Sequence, residues 1–110
     1  MKIFTLSIML AGLLSFTNAQ ASTINNVHII LYTPNNAGTL QFTADTARTG
    51  APSCSTNSLN WSIDVTTAAG QTMASALLTA MATGMYVDIA GTGACQFSGL
   101  EAVGYLTVHH

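Results

Sequence analysis

Apolar side chains recur at every second position in five separate stretches of this 110-residue chain, and at three- and four-residue spacing in only one. A period of two divides side chains between the faces of a sheet, whereas a period near 3.6 gathers them into one helical stripe. This pattern predicts a mainly β fold with one helix. The first stretch, 26–32, alternates Val27, Ile29 and Leu31 with His28, Ile30 and Tyr32. Turn chemistry at 33–38 leads into 39–44, where Leu40, Phe42 and Ala44 form one face, so a hairpin is expected. The third strand, 59–65, carries Leu59, Trp61, Ile63 and Val65 on its apolar face.

Thr66 or Thr67 is placed to cap the helix 68–83, and Gly84 stands where a left-handed C-terminal cap is usual. Met73, Ala76, Leu77, Ala80 and Met81 form its expected core stripe. A fourth strand, 85–90, ends at the turn Gly91-Thr92-Gly93-Ala94, and a fifth covers 101–108, with Gly104 as a bulge or close approach. The order β-β-β-α-β-β is that of an OB-like five-stranded barrel, with an antiparallel sheet carrying one packed helix as the alternative.

The amino terminus reads as an export leader. Met1-Lys2 supplies a positive end, 3–16 is an apolar run too short to span a bilayer, and Ala19-Gln20-Ala21 is a small-x-small cleavage signal. The expected organisation is a signal peptide over 1–21, cleaved between Ala21 and Ser22, and a single domain over 22–110 with no transmembrane segment. The expected location is periplasmic or secreted. In such an oxidising compartment Cys54 and Cys95, the only cysteines, are expected to form one disulfide. No CxxC spacing points to a metal site, and neither cysteine has a neighbouring cation to activate it.

Beyond residue 21 the chain has one side-chain cation, Arg48, beside Asp45, Asp64, Asp88 and Glu101. This excludes a basic nucleic-acid-binding surface. The shortage of charge is most specific on the helix, where Gln71, Thr72, Ser75, Thr79 and Thr83 stand on the face opposite the core stripe. Either that face reflects the low charge of the whole chain, or it meets neighbouring subunits.

Motifs for phosphate, zinc or calcium binding and for a nucleophile elbow are missing, so no cofactor and no enzymatic activity are expected. His28 lies among apolar neighbours and reads as a satisfied strand histidine, while His109 and His110 read as a frayed tail. Asp64, Asp88 and Glu101 would have to converge for a small hydrolase. Asn60-Trp61-Ser62 fits the glycosylation pattern, but Trp61 reads as buried, and the match as fortuitous.

The succession of Cys54-Ser55, Trp61, a helix ending Thr79-Ala80-Met81-Ala82-Thr83-Gly84 and the strand start Tyr86-Val87-Asp88-Ile89 resembles the AB5 toxin binding-subunit family, that of the subtilase cytotoxin B subunit. The resemblance implies an exported OB-fold lectin-like subunit, commonly pentameric, that binds cell-surface glycans and carries an enzymatic A subunit. This chain departs from it in two respects. Cys54 has no local partner, and Met81, Ala82 and Met85 occupy the turn where the family has a sugar-binding aromatic, so no glycan contact is carried over. Tyr32, Tyr86 and Tyr105 are the tyrosines available as a sugar platform. The alternative is a periplasmic or secreted structural or interaction protein without glycan binding.

Overall fold

The computed structural model describes residues 21–97 and 99–110. The leader signature at 1–20 lies outside the described residues, and Ala21 and Ser22 within them. The chain forms β1 (Thr23–Val27), β2 (Ile29–Pro34), β3 (Thr39–Ala44), β4 (Asn60–Asp64), α1 (Ala68–Thr83), β5 (Tyr86–Gln96) and β6 (Leu100–His109). Among the described residues the fold is mainly β with one helix, as the periodicities predict. Its strands form a six-stranded sheet in the order β1-β5-β6-β4-β3-β2, rather than a closed five-stranded barrel. Nor is the sheet purely antiparallel, since β4 and β6 pair in parallel at Ser62 and Ala102.

The sixth strand comes from a division of the first predicted one at His28. Asn26 adopts φ 55°, a left-handed conformation uncommon for a residue with a side chain, and the β1 register shifts between Ile24 and Val27. The His28 backbone then bonds Asp45: its N–H donates to the carboxylate, and its carbonyl accepts from the Asp45 N–H. The chain therefore leaves β5, the partner of β1, and joins β3, the partner of β2. The two edge strands of the sheet are thus consecutive in sequence, separated by one residue.

Strand β5 is also longer than alternation suggests. It runs through the expected turn at Gly91 and Gly93, with register shifts against β6 at Ala90/Gly91 and between Gly91 and Cys95. Bulges keep pairing intact where glycine breaks the apolar period.

Thr67 caps α1, its hydroxyl accepting from the Gly70 N–H at 3.0 Å, and Gly84 closes it at φ 69°. Thr66 instead binds Asp64 through its hydroxyl and its N–H. The helix packs against β2, β4, β5 and β6. Its buried residues are Gly70, Ala74, Leu77 and Ala80, with Met73 packed beside them. The expected stripe is rotated, leaving Met81 exposed. A Cβ on Gly70 would lie 1.7 Å from the Asp64 carbonyl oxygen, so the first turn rests on the end of β4 where only glycine fits. Trp61, Phe42, Leu40, Ile63, Leu77 and Ile89 are the largest apolar groups of the core beneath the helix.

Cys54 and Cys95 are disulfide-bonded with Cα atoms 6.0 Å apart, tying the 45–58 loop to β5. Among the described residues no helix is long and apolar enough to cross a membrane.

Candidate ligand-binding face

Alternation along β5 and β6 sends Val87, Ile89, Leu106 and Val108 into the core, leaving Tyr86, Asp88, Tyr105, Thr107 and His109 on the other face. Cross-strand pairing aligns Tyr86 with His109, Asp88 with Thr107, and Ala90 with Tyr105. Tyr86 is 40% exposed and Tyr105 67%. Four residue steps along β5 lead from Tyr86 to Ala90, the position opposite Tyr105, a span of about 13 Å.

Around Tyr86 the face is built from three rings. His28 lies with its ring centroid 4.5 Å from Tyr86, and His109 stacks on the same ring at 5.9 Å. His28 reaches this place because the chain crosses from β5 to β3 there. Each imidazole is held by its own carboxylate: His28 Nδ1 lies 3.4 Å from Asp45, and His109 Nε2 lies 3.1 Å from Asp88. The same Asp88 oxygen accepts from the Asn26 N–H at 2.8 Å. The positive φ at Asn26 thus fixes a carboxylate that in turn fixes a histidine.

These contacts set the ionisation of the face. The Asn26 N–H, then His109, hold the Asp88 carboxyl below its ordinary value. Hydrogen bonding to Asp88, then to the His110 carbonyl, raises the His109 imidazole above its own. Desolvation raises Asp45, but the His28 N–H, the Thr46 hydroxyl and the His28 ring outweigh it and leave Asp45 below the ordinary carboxylate value. Weakly acidic conditions therefore present two carboxylates and a protonated His109 beside an aromatic platform.

The other sequence candidates lie elsewhere. Tyr32 donates its hydroxyl to the Ala74 carbonyl at 3.1 Å, and burial pushes its phenol up, so it is a packing residue. His109 belongs to β6 rather than to a frayed tail. Asp64 binds Thr66 at the end of β4, where the Thr66 hydroxyl and N–H lower its carboxyl. Glu101 is completely buried against Ser22, Arg48 and Gly93. Asp64, Asp88 and Glu101 are held by three separate sets of partners and form no common acid-base site. Among the described residues no group of three or more His, Cys, Asp or Glu is arranged to hold a metal ion.

The uncharged helix face has a local explanation. Thr72, Thr79 and Thr83 each donate a hydroxyl to the carbonyl four residues earlier, and Gln71 bonds the Val65 carbonyl. These polar groups are satisfied by the chain itself. The triple-ring arrangement was not evident from sequence, because His28, Tyr86 and His109 meet only through the β1–β5–β6 pairing. Comparison with protein-family models, with curated proteins and with solved structures found no match to this chain.

Proposed function

We propose that residues 22–110 form an exported binding module that works by recognition without chemistry, and that the β5–β6 face takes a cell-surface glycan. The observation that carries this reading is the cluster of exposed Tyr86 between half-buried His28 and His109, rimmed by Asp45 and Asp88, with Tyr105 further along the same face. An aromatic face binds the apolar side of a sugar ring, while carboxylates and imidazoles hydrogen-bond its hydroxyls. The span between Tyr86 and Tyr105 suits an oligosaccharide of two or three rings. An OB-like architecture fits the sheet, whose two edge strands run into one another through His28. On this reading the module forms a ring, a pentamer by the family resemblance, and carries an A subunit.

A glycan array probed with the folded 22–110 chain and with Tyr86→Ala tests the site. Binding to a defined set of glycans that is lost in Tyr86→Ala is expected. Absence of signal for every glycan overturns the reading. A second reading, an exported interaction protein without glycan binding, is favoured by Ile30 and Leu31, 51% and 57% exposed on edge strand β2. Light scattering separates ring from monomer, since a monomer at micromolar concentration removes the pentamer.

A further inference from the structure

The Glu101 carboxylate is buried at the start of β6, and its partners converge from distant parts of the chain. The Ser22 N–H donates to Oε2 at 3.0 Å, the Gly93 N–H donates to the same oxygen at 3.1 Å, and the Ser22 hydroxyl donates to Oε1. Arg48 Nη1 stands 3.5 Å from Oε1, longer than the roughly 2.7–2.9 Å of a tight charge-assisted bond. Ser22 is only 1% exposed, and its carbonyl accepts from the Gly91 N–H at 2.8 Å. Ala21, one residue earlier, is exposed. The backbone nitrogen aimed at this buried carboxylate is the nitrogen that cleavage after Ala21 would free.

We infer that processing between Ala21 and Ser22 creates a buried α-ammonium that binds Glu101, so that the mature amino terminus is the second cation of an internal charge cluster with Arg48. This rests on the leader reading of 1–21. Hydrolysis of the Ala21–Ser22 bond by a signal peptidase divides one water between the ends: its hydroxyl goes to the Ala21 carbonyl carbon and its hydrogen to the Ser22 nitrogen. The new carboxyl then loses a proton, and the new amine gains one. The resulting ammonium keeps the hydrogen bond that the amide N–H made and adds a full charge. A buried ammonium needs a charged partner, and Glu101 supplies it. Glu101 then stands between the new terminus on one side and Arg48 on the other.

The chain makes this directly measurable, because Lys2 is its only lysine and lies in the leader. A protein beginning at Ser22 therefore has one primary amine. It is released from a cleavable fusion without added residues, and its reaction with an amine-acylating reagent is followed by intact mass, native and in denaturant. Native Ser22-chain is expected to react at least about tenfold more slowly than denatured, since reaction requires local opening. A chain beginning at Ala21 keeps the Ser22 N–H bond but carries its amine outside, and is expected to react as fast native as denatured. Equal native rates for the two chains overturn the inference without depending on any variant of Glu101. The leader reading is tested separately by the amino-terminal mass of the exported protein. A terminus other than Ser22 there refutes the processing step, while the labelling result still decides whether the pocket holds an ammonium.

Discussion

Arg48 and Glu101, from a loop and from β6, are paired with no side-chain exposure at either end, Nη1 to Oε1 at 3.5 Å. The Arg48 guanidinium also lies 3.9 Å from the centroid of the Trp61 ring and donates to Ser55 Oγ and the Asn60 carbonyl. Burial pulls the guanidinium down from its ordinary value, and Glu101 opposes that. Glu101→Gln leaves the buried guanidinium without a counter-charge and is expected to cost about 3–5 kcal/mol, whereas Arg48→Met leaves Glu101 its Ser22 and Gly93 donors and is expected to cost less. The double variant should cost less than the sum, as urea unfolding of all four proteins will show. Additive losses would mean that the two side chains act independently.

Helix propensity and packing make opposite predictions at Gly70. In an exposed helix interior Gly→Ala stabilises by about 1 kcal/mol. Here a Cβ would meet the Asp64 carbonyl oxygen at 1.7 Å, so Gly70→Ala is expected to destabilise by roughly 1–3 kcal/mol. At Gly84 the surroundings are open but φ is +69°, and Gly84→Ala is expected to cost only about 1 kcal/mol. Thermal unfolding should rank Gly70→Ala below Gly84→Ala, and the reverse order would refute the close approach of α1 to β4.

The contact between His109 and Asp88 depends on pH in a definite direction. The His109 value is raised from 6.5, so its contribution is present below about pH 6.5 and is lost as pH rises through the raised value. The Asp88 value is lowered from 3.8, so its contribution is present above that pH and is lost as pH falls through the lowered value. The contact is therefore complete in weakly acidic solution. An NMR titration should place the His109 midpoint above 6.5 and return it towards 6.5 in Asp88→Asn; an unchanged midpoint in that variant would disprove the contact.

Joining Cys54 to Cys95, residues 41 apart in sequence, restricts the unfolded chain. In the loop-entropy account a closure of this size contributes about 4 kcal/mol. The Cys54→Ala/Cys95→Ala protein should lose about 2–5 kcal/mol in chemical unfolding. A loss well under 1 kcal/mol would show that the 45–58 loop is held by the buried Arg48 instead.

Local patterns account for most elements and few of their meetings. The helix bounds, its Gly84 cap, strand β3 and the cysteine pairing follow from periodicity, turn chemistry and counting. The break at His28 does not, because it depends on hydrogen bonds to Asp45, 17 residues away. Burial of Arg48 and Glu101 was hidden for a related reason. Charge predicts exposure until a partner is known, and this partner arrives through the parallel pairing of β6 with β4, which no short-range pattern encodes. The ring stack was concealed because its three members stand near the ends of different strands.

The consecutive placement of the two edge strands also imposes an order in time. Any chain made from its amino terminus releases Thr23–Pro34 before the other described strands, yet only the second half of that stretch finds a nearby partner, in β3. The first half must wait for β5, which begins at Tyr86, after the helix has been completed. The first strand to emerge is therefore among the last to be paired, and its late docking brings Asn26 to Asp88 and Ser22 to Glu101.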